Sequence, residues 1–162
     1  MIIPIYGSVD VYQSTFSSYG FGDTEFEATL DGAQEVPPNL STAATGSGTF
    51  TYDDTTNTLD YSITFSGMTE TVSHIHTGAP GVDGSPFHTL PTGSPKTGSV
   101  VLSTDQETDL LAGNLYVNIH SDAFPGGEIR GNILALESAP VETVPDAPTS
   151  LTATAISSSE IE

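Results

Sequence analysis

Four histidines are the only imidazoles of the chain, and all lie between residues 74 and 120: His74, His76, His88 and His120. A neutral imidazole offers one nitrogen lone pair, so several converging on one point suit copper, zinc or nickel, whereas calcium and magnesium prefer oxygen. With no cysteine in the chain, a thiolate site is excluded. Copper is the expected ion, because it stands highest in the first-row affinity order and can cycle between two oxidation states at an open position. His74 and His76 stand two apart, and on a strand that spacing turns both rings to one face and Ile75 to the other. His120 ends the run Tyr116-Val117-Asn118-Ile119-His120, in which Val117 and Ile119 form the apolar face and His120 the opposite one. If the two runs are neighbouring strands, three imidazoles meet on the solvent side of a sheet, backed by Ile75, Val117 and Ile119. His88, in a glycine- and proline-rich loop, is the candidate fourth ligand. A single histidine on a polar face is ordinarily just solvated, and it is the His-x-His pair with a third strand-end histidine that points beyond this.

The elements that must hold these residues read as strands. Short runs rich in Thr, Val, Ile, Tyr and Phe alternate with polar residues, and Gly, Pro, Asp and Asn punctuate them. The clearest run is Thr58 to Phe65, with Leu59, Tyr61, Ile63 and Phe65 on one face. It pairs with Gly48 to Tyr52 through the hairpin loop Asp53 to Asn57. Further strands are expected at Glu25 to Leu30, Thr69 to His76, Gly98 to Ser103, Asn114 to His120 and Glu128 to Leu134. The fold class is therefore all-β: an antiparallel, Greek-key-like β-sandwich or barrel of about seven to eight strands. The Gly/Pro-rich segment Thr77 to Thr97 reads as one long ordered loop, and Asp105 to Ala112 as a short helical turn anchored by Leu110 and Leu111.

Composition narrows the function further. Two basic residues against 21 acidic ones give a formal charge of −19, and Lys96 and Arg130 stand far apart in the chain, so no basic patch exists to meet nucleic acid. No apolar run reaches the roughly 20 residues of a membrane span. A soluble, self-repelling chain of this kind fits a saline or extracellular setting, secreted or at the cell surface. Asn39-Leu40-Ser41 matches a glycosylation acceptor. Edge strands leave room for a homodimer without demanding one. After Leu136 a proline-bearing linker over residues 137–148 follows, and residues 1–23 read as an N-terminal extension.

Four motifs in order carry a family resemblance: Phe26 to Pro38 (FEATLDGAQEVPP), His74 to Gly78 (HIHTG), Gly113 to His120 (GNLYVNIH) and Pro125 to Gly131 (PGGEIRG). Together they resemble the CHRD domain, named for chordin, over roughly residues 24–136. The resemblance implies an all-β extracellular module. Residues 149–162 resemble the opening strand of a fibronectin type III module. A second likeness concerns chemistry: the order His74, His76, His88, His120 and Arg130 resembles the copper ligands and active-site arginine of Cu/Zn superoxide dismutase. That likeness implies copper on His74, His76 and His120, His88 in the place of the metal-bridging histidine, and Arg130 as the guide for an anion. The zinc ligands have no clear counterparts, so zinc is not expected.

The activity expected on this reading is copper-only superoxide dismutation, with superoxide as the small-molecule substrate. The chain's charge of −19 repels such an anion at long range, so a cation close to the copper would have to capture it locally. Asn118 and Tyr116 share the face of His120 and could order or shield the site, and Asp122 could accept the free N–H of a ligating imidazole. Two alternatives stand beside the enzyme: a non-catalytic CHRD interaction module, and a protein that sequesters copper outside the cell.

Overall fold

The computed structural model describes residues 23–136. Residues 1–22 of the expected extension, the linker over 137–148 and the fibronectin-like strand over 149–162 lie outside the described residues. Among the described residues nine strands form: β1 (Thr24–Asp31), β2 (Thr45–Asp53), β3 (Thr58–Ser66), β4 (Glu70–Thr77), β5 (Pro86–Thr89), β6 (Lys96–Val101), β7 (Leu115–Ser121), β8 (Ile129–Asn132) and β9 (Leu134–Ala135). One helix, α1 (Thr104–Leu111), precedes β7, and a single 3-10 turn (Gly32–Gln34) follows β1. The strands make one antiparallel sheet in the order β5-β4-β7-β8-β1-β2-β3-β6, with β9 beside β1. The fold is all-β, a single sheet curled into a nearly closed barrel.

Alternation sets the inside. Phe26, Ala28 and Leu30 of β1, Phe50 and Tyr52 of β2, and Leu59, Tyr61 and Ile63 of β3 all enter one buried cluster with Ile75, Val117, Ile119 and Ile129. The hairpin between β2 and β3 turns at Asn57, whose φ of 55° a short polar side chain tolerates. The expected helical turn is a full two-turn helix, started by a capping box in which Ser103 and Gln106 satisfy each other's backbone N–H. Only one of its two leucines is an anchor: Leu110 is buried, whereas Leu111 is exposed.

The segment Thr77 to Thr97 is not one loop. Pro86–Thr89 forms β5, which pairs with β4 across a register shift between Ile75 and His76. It lies at the sheet's edge, where proline is tolerated because the outward N–H is not needed. Side chains close the gap between the two edge strands. The Tyr61 hydroxyl of β3 meets His88 Nε2 of β5 at 3.2 Å. At the start of β6, Lys96 ion-pairs with Glu70 and donates to Ser73 Oγ (2.9 Å) of β4 and to the Pro91 carbonyl (3.1 Å).

Candidate metal centre

β4 and β7 are neighbours, in a register that sets His74 opposite Asn118 and His76 opposite Tyr116, with His120 opposite Val72, two pairs beyond Asn118. Directly opposed residues share a face, so the outer face here carries His74, His76, Tyr116, Asn118 and His120 while Ile75, Val117 and Ile119 fill the barrel. The three rings converge: their centroids lie 5.6 Å (His74 to His76), 5.4 Å (His74 to His120) and 6.3 Å (His76 to His120) apart. One ring nitrogen from each lies within 4.8 Å of the other two.

Hydrogen bonding fixes which nitrogens are free. His76 Nδ1 sits 2.9 Å from the Gly84 carbonyl and His120 Nδ1 3.0 Å from the Pro125 carbonyl. A carbonyl only accepts, so both Nδ1 atoms carry the proton and both Nε2 atoms keep the lone pair. His76 Nε2, His120 Nε2 and His74 Nδ1 are buried without any hydrogen-bond partner. Three orphaned ring nitrogens in one cluster are costly in a finished core, and a cation bound to all three, with the His74 proton on its other nitrogen, removes that cost. Burial holds His74 and His76 below the ordinary imidazole range, and His120 beside His74, and His74 and His120 beside His76, push the same way. Both shifts favour the neutral ring of His74 and of His76, the state a metal needs. The donor set fits copper, zinc or nickel; no carboxylate belongs to it.

This face is not open to solvent as expected. Every residue of β7 is buried, His120 included, and His74 alone of the three histidines is half-buried. The loop after β4 lies over it: Gly78 N binds the Asn114 carbonyl at 2.6 Å, and Asn132 Nδ2 holds the Gly78 carbonyl at 3.1 Å. At Gly84 a Cβ would fall 1.4 Å from the Thr77 carbonyl oxygen, so only glycine lets the loop fold back and aim its carbonyl at His76.

Two expected site residues are placed otherwise. His88 pairs with Ile75 across β4 and β5, so it faces away from His74 and His76 and bonds Tyr61; it does not join the imidazole cluster. Arg130 shares the outer face with the imidazoles but is 0 % exposed, buried beneath the loop rather than at the surface. It lies 3.6 Å over the Tyr116 ring, whose other face stacks on His76 at 4.8 Å. Its Nη2 donates to the Ala79 (3.0 Å) and Val82 (2.9 Å) carbonyls, pinning the loop that ends at Gly84. Arg130 thus braces His76 from two directions. Asp122 is exposed, and the Pro125 carbonyl takes the His120 proton in its place.

Sequence reasoning missed Glu35. The turn after β1 carries it under the outer face, where Asn118 Nδ2 reaches Glu35 Oε2 at 3.5 Å. Burial pushes its carboxyl up to about 7, against the pull of Arg130. Gly127, at φ 133°, makes room: a Cβ there would lie 2.6 Å from Glu35 Oε1 and from both amide atoms of Asn118. Its place within the motif GAQEVPP was the only signal, and nothing in that motif states where the carboxyl points.

All four motifs noted in the sequence thus deliver residues to one outer face: Glu35, then His74 and His76, then Tyr116, Asn118 and His120, then Gly127 and Arg130. No curated protein and no solved structure matches the chain. The family model of the CHRD domain matches residues 26–133, a span that holds the entire imidazole cluster and its braces, and the chain belongs to the CHRD domain family.

Proposed function

We propose that this CHRD domain is an extracellular module that binds one copper ion through His74, His76 and His120. The observation that carries the reading is the convergence of three buried, partnerless imidazole lone pairs, two of them oriented by backbone carbonyls. Copper bound there would supply one-electron chemistry; the chain supplies neutral nitrogens, a fixed tautomer at two of them and an apolar backing. Family membership fits an extracellular interaction module. Among the described residues no helix is long and apolar enough to cross a membrane.

Binding without turnover is favoured over superoxide dismutation by the state of the cations. Both Lys96 and Arg130, the only two Lys or Arg residues of the chain, are buried, so no surface Lys or Arg draws an anion through a field set by a charge of −19. Dismutation rests on the ligand set alone and makes a separate demand, namely superoxide decay that vanishes on chelation. The test is metal analysis and copper titration of the purified chain, followed by superoxide decay with and without a chelator. One copper per chain is expected, with affinity falling by more than about 100-fold in His120→Ala. A chain that takes up no copper, or a His120→Ala variant that binds it as well, overturns the proposal.

A further inference from the structure

Beside the imidazoles lies a second set of unpaired polar atoms. Glu35 Oε1, Asn118 Oδ1, Arg130 Nε and Arg130 Nη1 are all buried without a hydrogen-bond partner. They belong to one neighbourhood. Asn118 and Arg130 are directly opposed across β7 and β8, Asn118 bonds Glu35, and Arg130 is the charge that acts most strongly on the Glu35 carboxyl. The residues are 6 %, 3 % and 0 % exposed, so bulk solvent does not satisfy them. Asp83 Oδ1 stands 3.7 Å from Arg130 Nη1, beyond hydrogen-bond reach. Clefts of about 290 and 360 Å³ run up to Glu35 from its two sides, one past Pro80 and Gly81, the other past Pro125 and Gly126.

The chemistry of these atoms selects what they can hold. The guanidinium only donates and the amide oxygen only accepts, and the carboxylate accepts when ionised. A ligand that satisfies them must donate and accept at once. A free anion would answer the guanidinium but face two oxygen acceptors. We propose that Glu35, Asn118 and Arg130 form a binding pocket for a small neutral hydroxylic ligand, of the class of water or hydrogen peroxide, next to the three-imidazole centre. The adjacency to a metal rests on the copper reading; the pocket itself does not.

Crystals of the metal-free full chain, soaked in turn with hydrogen peroxide and with sodium azide, test it. Ordered water, or peroxide in its place, is expected to bridge Arg130 to Glu35 and Asn118, with no azide in the pocket. Glu35 bonded directly to Arg130 with nothing between them, or azide seated there, overturns the proposal. A second measurement uses the copper-loaded chain, where Glu35→Gln, isosteric and uncharged, is expected to tighten azide binding at pH 8 by on the order of tenfold. An unchanged azide affinity in that variant also counts against the pocket. Failure of the wild-type chain to take up copper would remove the metal reading alone, since the crystallographic result stands without it.

Discussion

The chain's two cations are both buried, at the seam and on the outer face of the barrel, and they are treated in opposite ways. Lys96 is saturated: Glu70, Ser73 Oγ and the Pro91 carbonyl take its three protons, and the Phe65 ring lies 4.9 Å below it. Arg130 is not, for two of its nitrogens find no partner, and the same holds for one atom each of Glu35 and Asn118 and for three imidazole nitrogens near it. A buried charge with every bond made fastens one element to another. A buried polar group left unmade, among others like it, marks where something from outside the chain completes the set.

The largest expected effect tests the fastened end. Lys96→Ala leaves the Glu70 carboxylate buried and unpaired, and should cost about 3–5 kcal/mol in urea unfolding. Lys96→Met combined with Glu70→Gln should recover most of that loss, since neither charge then needs a partner. Copper stoichiometry should be untouched in both, and a change in it would erase the division between the two regions.

Arg130→Lys sharpens the other side. It keeps the charge but loses the planar stack on Tyr116 and the fork to the Ala79 and Val82 carbonyls. Copper affinity should fall by about 10–100-fold, the range for loss of a group that orients a ligand, and the Cu(II) electron paramagnetic resonance spectrum should shift. Full retention of both would show that Arg130 does not brace His76.

Titration gives a smaller effect with a definite sign. The Glu35 carboxyl is raised to about 7 from 4.5 by burial, so the cost of its buried charge is present above pH 7 and is relieved as pH falls towards 4.5. Glu35→Gln should therefore stabilise the metal-free chain at pH 8 and lose that advantage at pH 5, as read by thermal unfolding at the two values. An equal effect at both would mean that the carboxyl is solvated. Smallest is His88→Phe, which removes one hydrogen bond to Tyr61 and should cost about 1 kcal/mol while leaving copper uptake intact.

Much of this was written in periodicity. The alternation of β3 against β2, and the two-residue spacing of His74 and His76, set faces that need no tertiary knowledge. The convergence with His120 followed once β4 and β7 paired. What could not be read depends on segments folding over the sheet. β5 is four residues long between glycines and prolines, so its pairing comes from β4 rather than from its own sequence, and that pairing alone turns His88 away. The burial of the outer face, the carbonyls of Gly84 and Pro125, and the position of Glu35 arise from loops whose backbone atoms leave no mark in residue type. Arg130 is expected as an anion guide from its order after the histidines, and nothing in that order states that a loop buries its guanidinium.

That Lys96 and Arg130 are both interior has a practical corollary for digestion. Trypsin cleaves after lysine or arginine, and this chain offers it only those two bonds, each within a strand and with its basic side chain buried. The native molecule should resist the enzyme for as long as it stays folded, and cutting should report opening of the barrel alone. The products, residues 1–96, 97–130 and 131–162, would separate the proposed ligands His74 and His76 from His120 in a single step.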